Sequence, residues 1–383
     1  MKAQSESQQL ALETIARKNR GKIPTDGIHI MDTDIIDELA GMPAGSYIKN
    51  PVEVYLKFKI NAGVNLIDQF IPTNPLSMTK KGFDETRERG ATTGLEKIIV
   101  DGIRIDSPES VVEHMEKAVF PKIRKSISDF DEKKAAEEII SRERKTQEIL
   151  GPSILKTGYG FVHFPYLRYG TYGYANYFMA YTLYPEIMEK DFSLQADLNE
   201  IQNKAAARAI IEGELPLLYR LDHDMADSRS TLVDIKSLEK IWFPYFERAI
   251  LPVAKIPGMN LIWHCDGNLM SMIPGLIECG VKGFQGFQYE AGMDYPRICK
   301  MKAKDRDTMI IIGGVSVTKT LPFGTPEDVK KELKWLVDNG PETGLFLGAS
   351  SSITPNTNRE NIMTLVEGLK YYREHGRQTE KSE

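Results

Sequence analysis

The chain has 383 residues, 41% of them hydrophobic and 27% charged, with 49 Lys plus Arg against 54 Asp plus Glu and a formal net charge of −5. This composition is ordinary for a folded globular protein and excludes a disordered chain, a collagen-like chain and a disulfide scaffold. The length exceeds the ~250–300 residues at which single cores stop growing, which leaves two domains or one large α/β barrel with insertions.

The mild acidity argues against broad contact with nucleic acid, where Lys and Arg dominate binding to phosphates. No run of about 18 apolar residues occurs, so no membrane-spanning helix is expected. The N-terminal stretch, MKAQSESQQLALETIARKNRGK, lacks the apolar core of a signal peptide. The cysteines are Cys265, Cys279 and Cys299. So sparse and odd a set suggests reduced thiols and a cytoplasmic location.

In chain order, residues 1–20 read as a polar amphipathic helix and 27–31 as a first strand. Residues 51–62 read as a helix with Pro51 near its start, where a missing N–H costs nothing. Val64 to Ile71 read as a buried strand stopped by Pro72-Thr-Asn-Pro75. Residues 79–107 read as an excursion carrying a hairpin, because Asp101-Gly102 divides EKIIVDGIRID. Ser107-Pro108-Glu109 opens a helix, Ser as N-cap and Pro at the first position, and residues 130–150 continue helically.

From residue 154 strands and helices alternate. Strands are expected at 154–162, 215–221, 259–264, 281–287, 308–312 and 344–347, each followed by a helix. The helix after the first of these runs to Ile211. The last begins at Asn358. Six βα units and two N-terminal strands make about eight, which fits a (β/α)8 barrel. A doubly wound open sheet competes, and strand counting does not separate the two.

Both architectures gather function at the carboxyl ends of strands. The residues there are polar: Asp68 and Asn74; His163 and Arg168; Asp222, His223 and Asp224; His264, Asp266 and Asn268; Gln288 and Glu290; Ser316; Ser350, Ser351 and Ser352. In NLIWHCDGN an apolar strand ends on His264, and Asp266 follows at i+2. Extended chain puts that pair on one face and turns Cys265 away. Asn268 is placed to cap the next helix. The plainer reading makes Asp266 or Asn268 a cap with His264 packed beneath, but burying an imidazole and a carboxylate together is costly unless they are used or paired.

LDHDMADS places Asp222 and Asp224 on one face after a strand. Two adjacent carboxylates push one pKa up, which suits acid–base work or metal binding, with helix capping as the alternative. Eight of the sixteen tyrosines lie between Tyr159 and Tyr184, among them Tyr166, Tyr169 and Tyr172. They could line a pocket for a flat ligand or pack in an interface. Neither GxGxxG nor a Walker A motif occurs, nor CxxC, nor a GxSxG elbow.

WHCDGN (263–268), GVKGFQGFQYEAGMD (280–294), IIIGGVS (310–316), LPFGTPEDVKKEL (321–333) and GASSSITPNTNRENI (348–362) together resemble the uroporphyrinogen decarboxylase superfamily in order and spacing. The resemblance covers 215–372 firmly and the rest loosely. It implies one α/β domain, a (β/α)8 TIM barrel, over 1–383. An N-terminal extension with the first strand (1–50), the 79–107 hairpin and a Tyr-rich insertion (159–184) decorate it. The superfamily holds porphyrinogen decarboxylases and methyltransferases that work with corrinoid proteins. The decarboxylases' arginine-rich N-terminal signature has no match near Arg17-Lys-Asn-Arg20, and Asp68 in LIDQFIP is displaced from their aspartate motif.

Thiol-methylating members look like His-x-Cys after one strand and Cys after the last, binding zinc. Here Asp266 and Ser351 stand at the cysteine positions. The resemblance therefore points to methyltransferase components of anaerobic O-demethylases. These move a methyl group from a small methoxylated, aromatic substrate to the Co(I) corrinoid (cobalamin) of a partner protein. That reading assigns catalysis to His264, Asp224 and Glu290. Substrate binding falls to Asp222, Asn268, Tyr166, Tyr169, Tyr172 and Ser351. A zinc site, if used, would take His264, Asp266 and Glu290. The partners expected are a corrinoid protein and a methyl donor, with no nucleic acid and no membrane, and a homodimer is compatible. The alternatives are a decarboxylase, which needs cations such as Arg168, Arg220 and Arg229 at the mouth, and a non-catalytic ligand-binding barrel.

Overall fold

The computed structural model describes residues 5–73 and 98–377. The strands in chain order are β1 (Leu66–Ile67), β2 (Ile98–Val100), β3 (Ile103–Ile105), β4 (Leu155–Lys156), β5 (Leu218–Asp222), β6 (Asn260–His264), β7 (Val281–Gln285), β8 (Ile310–Val315) and β9 (Leu345–Ala349). β5 to β9 form one parallel sheet in sequence order. β1 pairs with β4 in parallel.

Single bridges close the ring. Gly158, just past β4, pairs with Tyr219 of β5, and Thr25 pairs with both Val64 and Leu347. Around Thr25 the Asp26 N–H donates to the Leu347 carbonyl at 2.8 Å, and the Asn65 N–H to the Thr25 carbonyl at 2.9 Å. Eight parallel staves result, in the order 24–26, β1, β4, β5 to β9, and back. This is the (β/α)8 barrel. The first stave lies at 24–26, just before the expected strand at 27–31, where only Ile30 makes a bridge, to Ile353.

Alternation along the staves sets the character of the interior. Leu66, Leu155, Leu218, Ile262, Ile310, Ile312 and Phe346 pack into a small core of their own. Two residues further along β5 come Arg220 and then Asp222; after Ile262 comes His264. The interior is thus apolar at one end and polar at the carboxyl end. The N-terminal helix Glu6–Ile15 plugs the apolar end with Ala11 and Ile15. Ser5 caps that helix by accepting from the Gln8 N–H. Arg17 donates through Nη1 to Asn260 Oδ1 at 2.7 Å. The opposite faces of the staves, with Tyr219, Trp263, Phe284 and Leu347, join the larger core under the outer helices.

Local chemistry explains most helix starts. Ser107 and Ser110 form a capping box with Pro108 next to the cap, and Thr325 and Asp328 do the same before Pro326. Asn358 caps Arg359–His375. The single long helix expected up to Ile211 is three: Tyr169–Tyr172, Tyr174–Leu183 and Pro185–Glu212. Gly173, at φ +78°, ends the first. Pro185 forces Tyr184 out of helical geometry and starts the third. β2 and β3 form the antiparallel hairpin turned by Asp101 and Gly102, both at positive φ. The remainder of the expected 79–107 excursion, 79–97, lies outside the described residues. No helix among the described residues is long and apolar enough to cross a membrane.

Candidate active site

The carboxyl end of the barrel opens on a cavity of about 180 Å³. Its polar lining includes Asp26, His29, Lys59, Asp68, Arg220, Asp222, His264, Gln285, Ser351 and Ser352, with Tyr55 as the aromatic wall. Larger hollows lie elsewhere on the described surface. One of about 370 Å³ sits against β4 and β5, but its buried Lys156 and Glu143 already satisfy each other at 2.8 Å.

Strand register places the central row. Asp222 pairs with His264, and His264 with Gln285. The ring of His264 abuts Gly286, where a Cβ would lie 2.7 Å from Nδ1. Nδ1 is buried there without a hydrogen-bond partner, so the ring presents its Nε2 edge to the cavity. Gln285 donates to Asp26 Oδ2 at 2.9 Å and leaves its own Oε1 buried and unpartnered.

The charges are arranged in pairs. Arg220 ion-pairs with Asp68, and its Nη1 lies 3.4 Å from Asp222. The Tyr159 hydroxyl donates to Asp222 at 3.1 Å, and the Arg220 guanidinium lies over the Tyr159 ring. Burial, reinforced by Asp68, raises the Asp26 pKa well above the carboxylate range, against Arg220, the Gly27 N–H and Lys59. Burial lowers His29 to about 4, and its Nδ1 lies 2.7 Å from the Ser352 hydroxyl.

Of the residues singled out in the sequence, His264, Asp222 and Ser351 line the cavity, together with Asp68 and Ser352. Asp266 sits at its edge, where it hydrogen-bonds Ser351. Burial raises its pKa, opposed by His264 and reinforced by Asp224 and Asp222. One oxygen, Oδ1, is buried and unpartnered. Cys265 is turned into the core, as the alternation requires.

The remaining candidates are engaged elsewhere. Asp224 accepts from the Asp266 N–H at 3.1 Å and so shapes the loop. His223 points away from the mouth: its Nε2 accepts from the Leu167 N–H at 3.0 Å, and burial lowers it to about 4. Glu290 accepts from the Ser316 and Thr318 hydroxyls instead of meeting His264. Asn268 accepts from the Met270 N–H at 3.2 Å, and the following helix, Ile273–Glu278, starts beyond it, so it caps no helix. Tyr172 is fully buried against His114, Tyr169 stacks on His223 and donates to the Asp224 carbonyl, and Tyr166 accepts from Arg168. None of the three lines the cavity. Asn74 lies outside the described residues.

Catalytic zinc asks for three protein ligands and an open position. Of the expected three, His264 and Asp266 are neighbours and Glu290 is not with them. Among the described residues no group of three His, Cys, Asp or Glu is placed to hold a metal ion. The donor set therefore does not fit such a centre.

Sequence reasoning missed Asp26, His29, Tyr55, Lys59 and Gln285, and named Arg220 only as a cation for the decarboxylase alternative. Gln285 and Arg220 had a usable signal: each lies at or within two residues of a strand end, on the inward face. Tyr55 and Lys59 reach the mouth from a helix, which no strand-end rule finds.

An eight-stave parallel barrel with a polar cavity at its carboxyl end is an architecture that carries active sites there. Residues 223–372 match the family model described as Uroporphyrinogen decarboxylase (URO-D), the superfamily its motifs resemble. A methyltransferase from Methanosarcina mazei shares the fold at 15% identity and a TM-score of 0.53, over 96% of this chain and 98% of that one. A Listeria monocytogenes protein described as a putative vitamin-B12-independent methionine synthase aligns at 14% identity and a TM-score of 0.36, over 62% of this chain and 69% of that one. A B12-independent methionine synthase from Shewanella sp. W3-18-1 aligns at 15% identity and a TM-score of 0.28, over 49% and 56%. No curated protein sequence matches the chain.

Proposed function

We propose that the protein moves a methyl group from a small methoxylated donor to the Co(I) of a corrinoid carried by a partner protein. The observation that carries this reading is the in-register row Asp222–His264–Gln285, set in the mouth of a barrel with the fold of a methyltransferase. A cavity of 180 Å³ suits a donor the size of a single ring, since cavities near 150 Å³ take benzene. Tyr55 supplies an aromatic part of the wall.

An ether oxygen leaves poorly unless it is protonated or coordinated. In this reading His264 holds the donor through Nε2, while Asp222, fixed by Tyr159 and Arg220, orients it. Asp266 and Ser351 form the edge of the site. The open mouth receives the corrinoid domain. The three cysteines are free and buried, which suits the reducing compartment such a partner needs.

The decarboxylase alternative is less well supported. It needs several free cations at the mouth for substrate carboxylates; Lys59 lines the cavity, but the arginines expected there are engaged. Arg220 is neutralised by Asp68 and Asp222, Arg168 is buried against Asp191 at 2.9 Å, and Arg229 pairs with Asp227 on the surface.

The purified protein, mixed with Co(I) cobalamin and methoxybenzene or related ethers, is expected to convert the cobalamin to its methylated form and release the alcohol. Absence of methylated cobalamin with every ether offered would refute the proposal.

A further inference from the structure

Lys59 sits on the helix Pro51–Asn61 that leads into β1. Its side chain lines the mouth cavity, yet the residue is only 2% exposed. An ammonium carries three N–H donors. One goes to the Ile28 carbonyl. Nζ is flanked by the rings of Tyr55 and Phe58, with centroids at 4.9 and 4.8 Å. Among the described residues no carboxylate lies within ion-pairing distance of it.

A lysine kept only for structure extends its head to water or to a carboxylate. This one does neither, and an unpaired buried ammonium is costly. Lys59 lines the same cavity as His264.

We propose that Lys59 is a catalytic residue: its Nζ donates a proton to the ether oxygen of the methyl donor as the methyl group leaves. The role rests on the methyl-transfer reading above. In the step, the electron pair of Co(I) forms the Co–C bond. The C–O bond breaks with its electrons on oxygen, and that oxygen takes a proton from Nζ. Neutral lysine is then reprotonated from solvent.

The surroundings tune Nζ for this. Burial lowers its pKa from the ordinary lysine value to about 7, with Asp26 and Asp68 pulling it back up. The charged and titratable groups facing it are Asp26 from the first stave, His29 from the segment after it, Asp68 from beyond β1, Arg220 from β5 and Tyr55 from its own helix. Asp26 is a poorer donor candidate, because its Oδ2 already accepts from Gln285. The protonated form of Lys59 is the competent one, so transfer should fall as pH rises through about 7.

The test compares Lys59→Met with wild type on two ethers, methoxybenzene and 4-nitromethoxybenzene, whose nitrophenolate leaves without a proton. The variant is expected to lose ~10²–10⁴-fold on the first, to lose far less on the second, and to lack the decline of rate above neutral pH. An equal loss on both ethers, with that decline intact, overturns the role while leaving the methyl-transfer reading standing. A wild type inactive on both overturns the reading and the role together. If Lys59→Met does not fold, NMR of side-chain ¹⁵N-lysine protein decides, with Lys59 assigned through Lys59→Arg. Titration near neutrality supports the proposal, and titration at the ordinary lysine pH refutes it.

Discussion

His264 owes its orientation to a neighbour with no side chain. Gly286 adopts φ +82°, in the left-handed region, and a Cβ there would meet Nδ1 at 2.7 Å and Cε1 at 2.8 Å. Gly286→Ala therefore combines backbone strain, roughly 1–2 kcal/mol, with displacement of the ring. A misplacement of about 1 Å can cost ~10²-fold in rate, and methyl transfer is expected to fall by that order. Gly41→Ala is the matched control, since Gly41 has φ +67° and a Cβ there would meet no atom within 4 Å. Thermal melts should show both variants strained, and rate measurements should show only the first impaired. Equal rates for the two variants would mean that the Gly286 contact does not position His264. These neighbours also show what sequence can and cannot reveal. Strand-end alternation found Asp222, His264 and Ser351. It could not find Lys59 or Tyr55, whose helix presents a mixed polar face and meets the barrel only through tertiary packing.

The staves are short, β1 and β4 only two residues each. Apolar runs mark where strands lie but not where pairing stops. Val64–Ile71 and 154–162 accordingly read longer in sequence than the strands that form. Helix boundaries were more legible, because Ser107-Pro108, Thr325-Pro326 and Asn358 announce their caps. The N-terminal helix was legible as amphipathic, but its destination was not. Ala11 and Ile15 are buried in the interior core with Leu218, Ile262 and Phe346. Ile15→Ala should therefore cost ~2–5 kcal/mol, as for a core residue, in urea unfolding with an unchanged slope. A cost under about 0.5 kcal/mol, the range of ordinary surface changes, would mean that the helix does not seal the barrel floor.

Strand counting left the choice between a barrel and an open sheet, and motif order favoured the barrel. Closure itself depends on the bridges at Thr25 and Gly158, which join residues distant in the chain. Single-residue pairings of this kind leave no periodic trace in sequence. The surplus length beyond a minimal barrel goes partly into the sealing helix, the β2–β3 hairpin and the tyrosine-rich helices. Of those tyrosines, Tyr169 braces the back of the site, stacked on His223 and donating to the Asp224 carbonyl instead of lining the cavity. The whole chain thus converges on one mouth with His264 at its centre. The initial rate of methyl transfer to Co(I) cobalamin, measured for His264→Ala beside wild type with folding checked by circular dichroism, tests that convergence most directly. The variant is expected to fold and to lose ~10²-fold or more; a folded variant with the wild-type rate would show that the reaction takes place elsewhere.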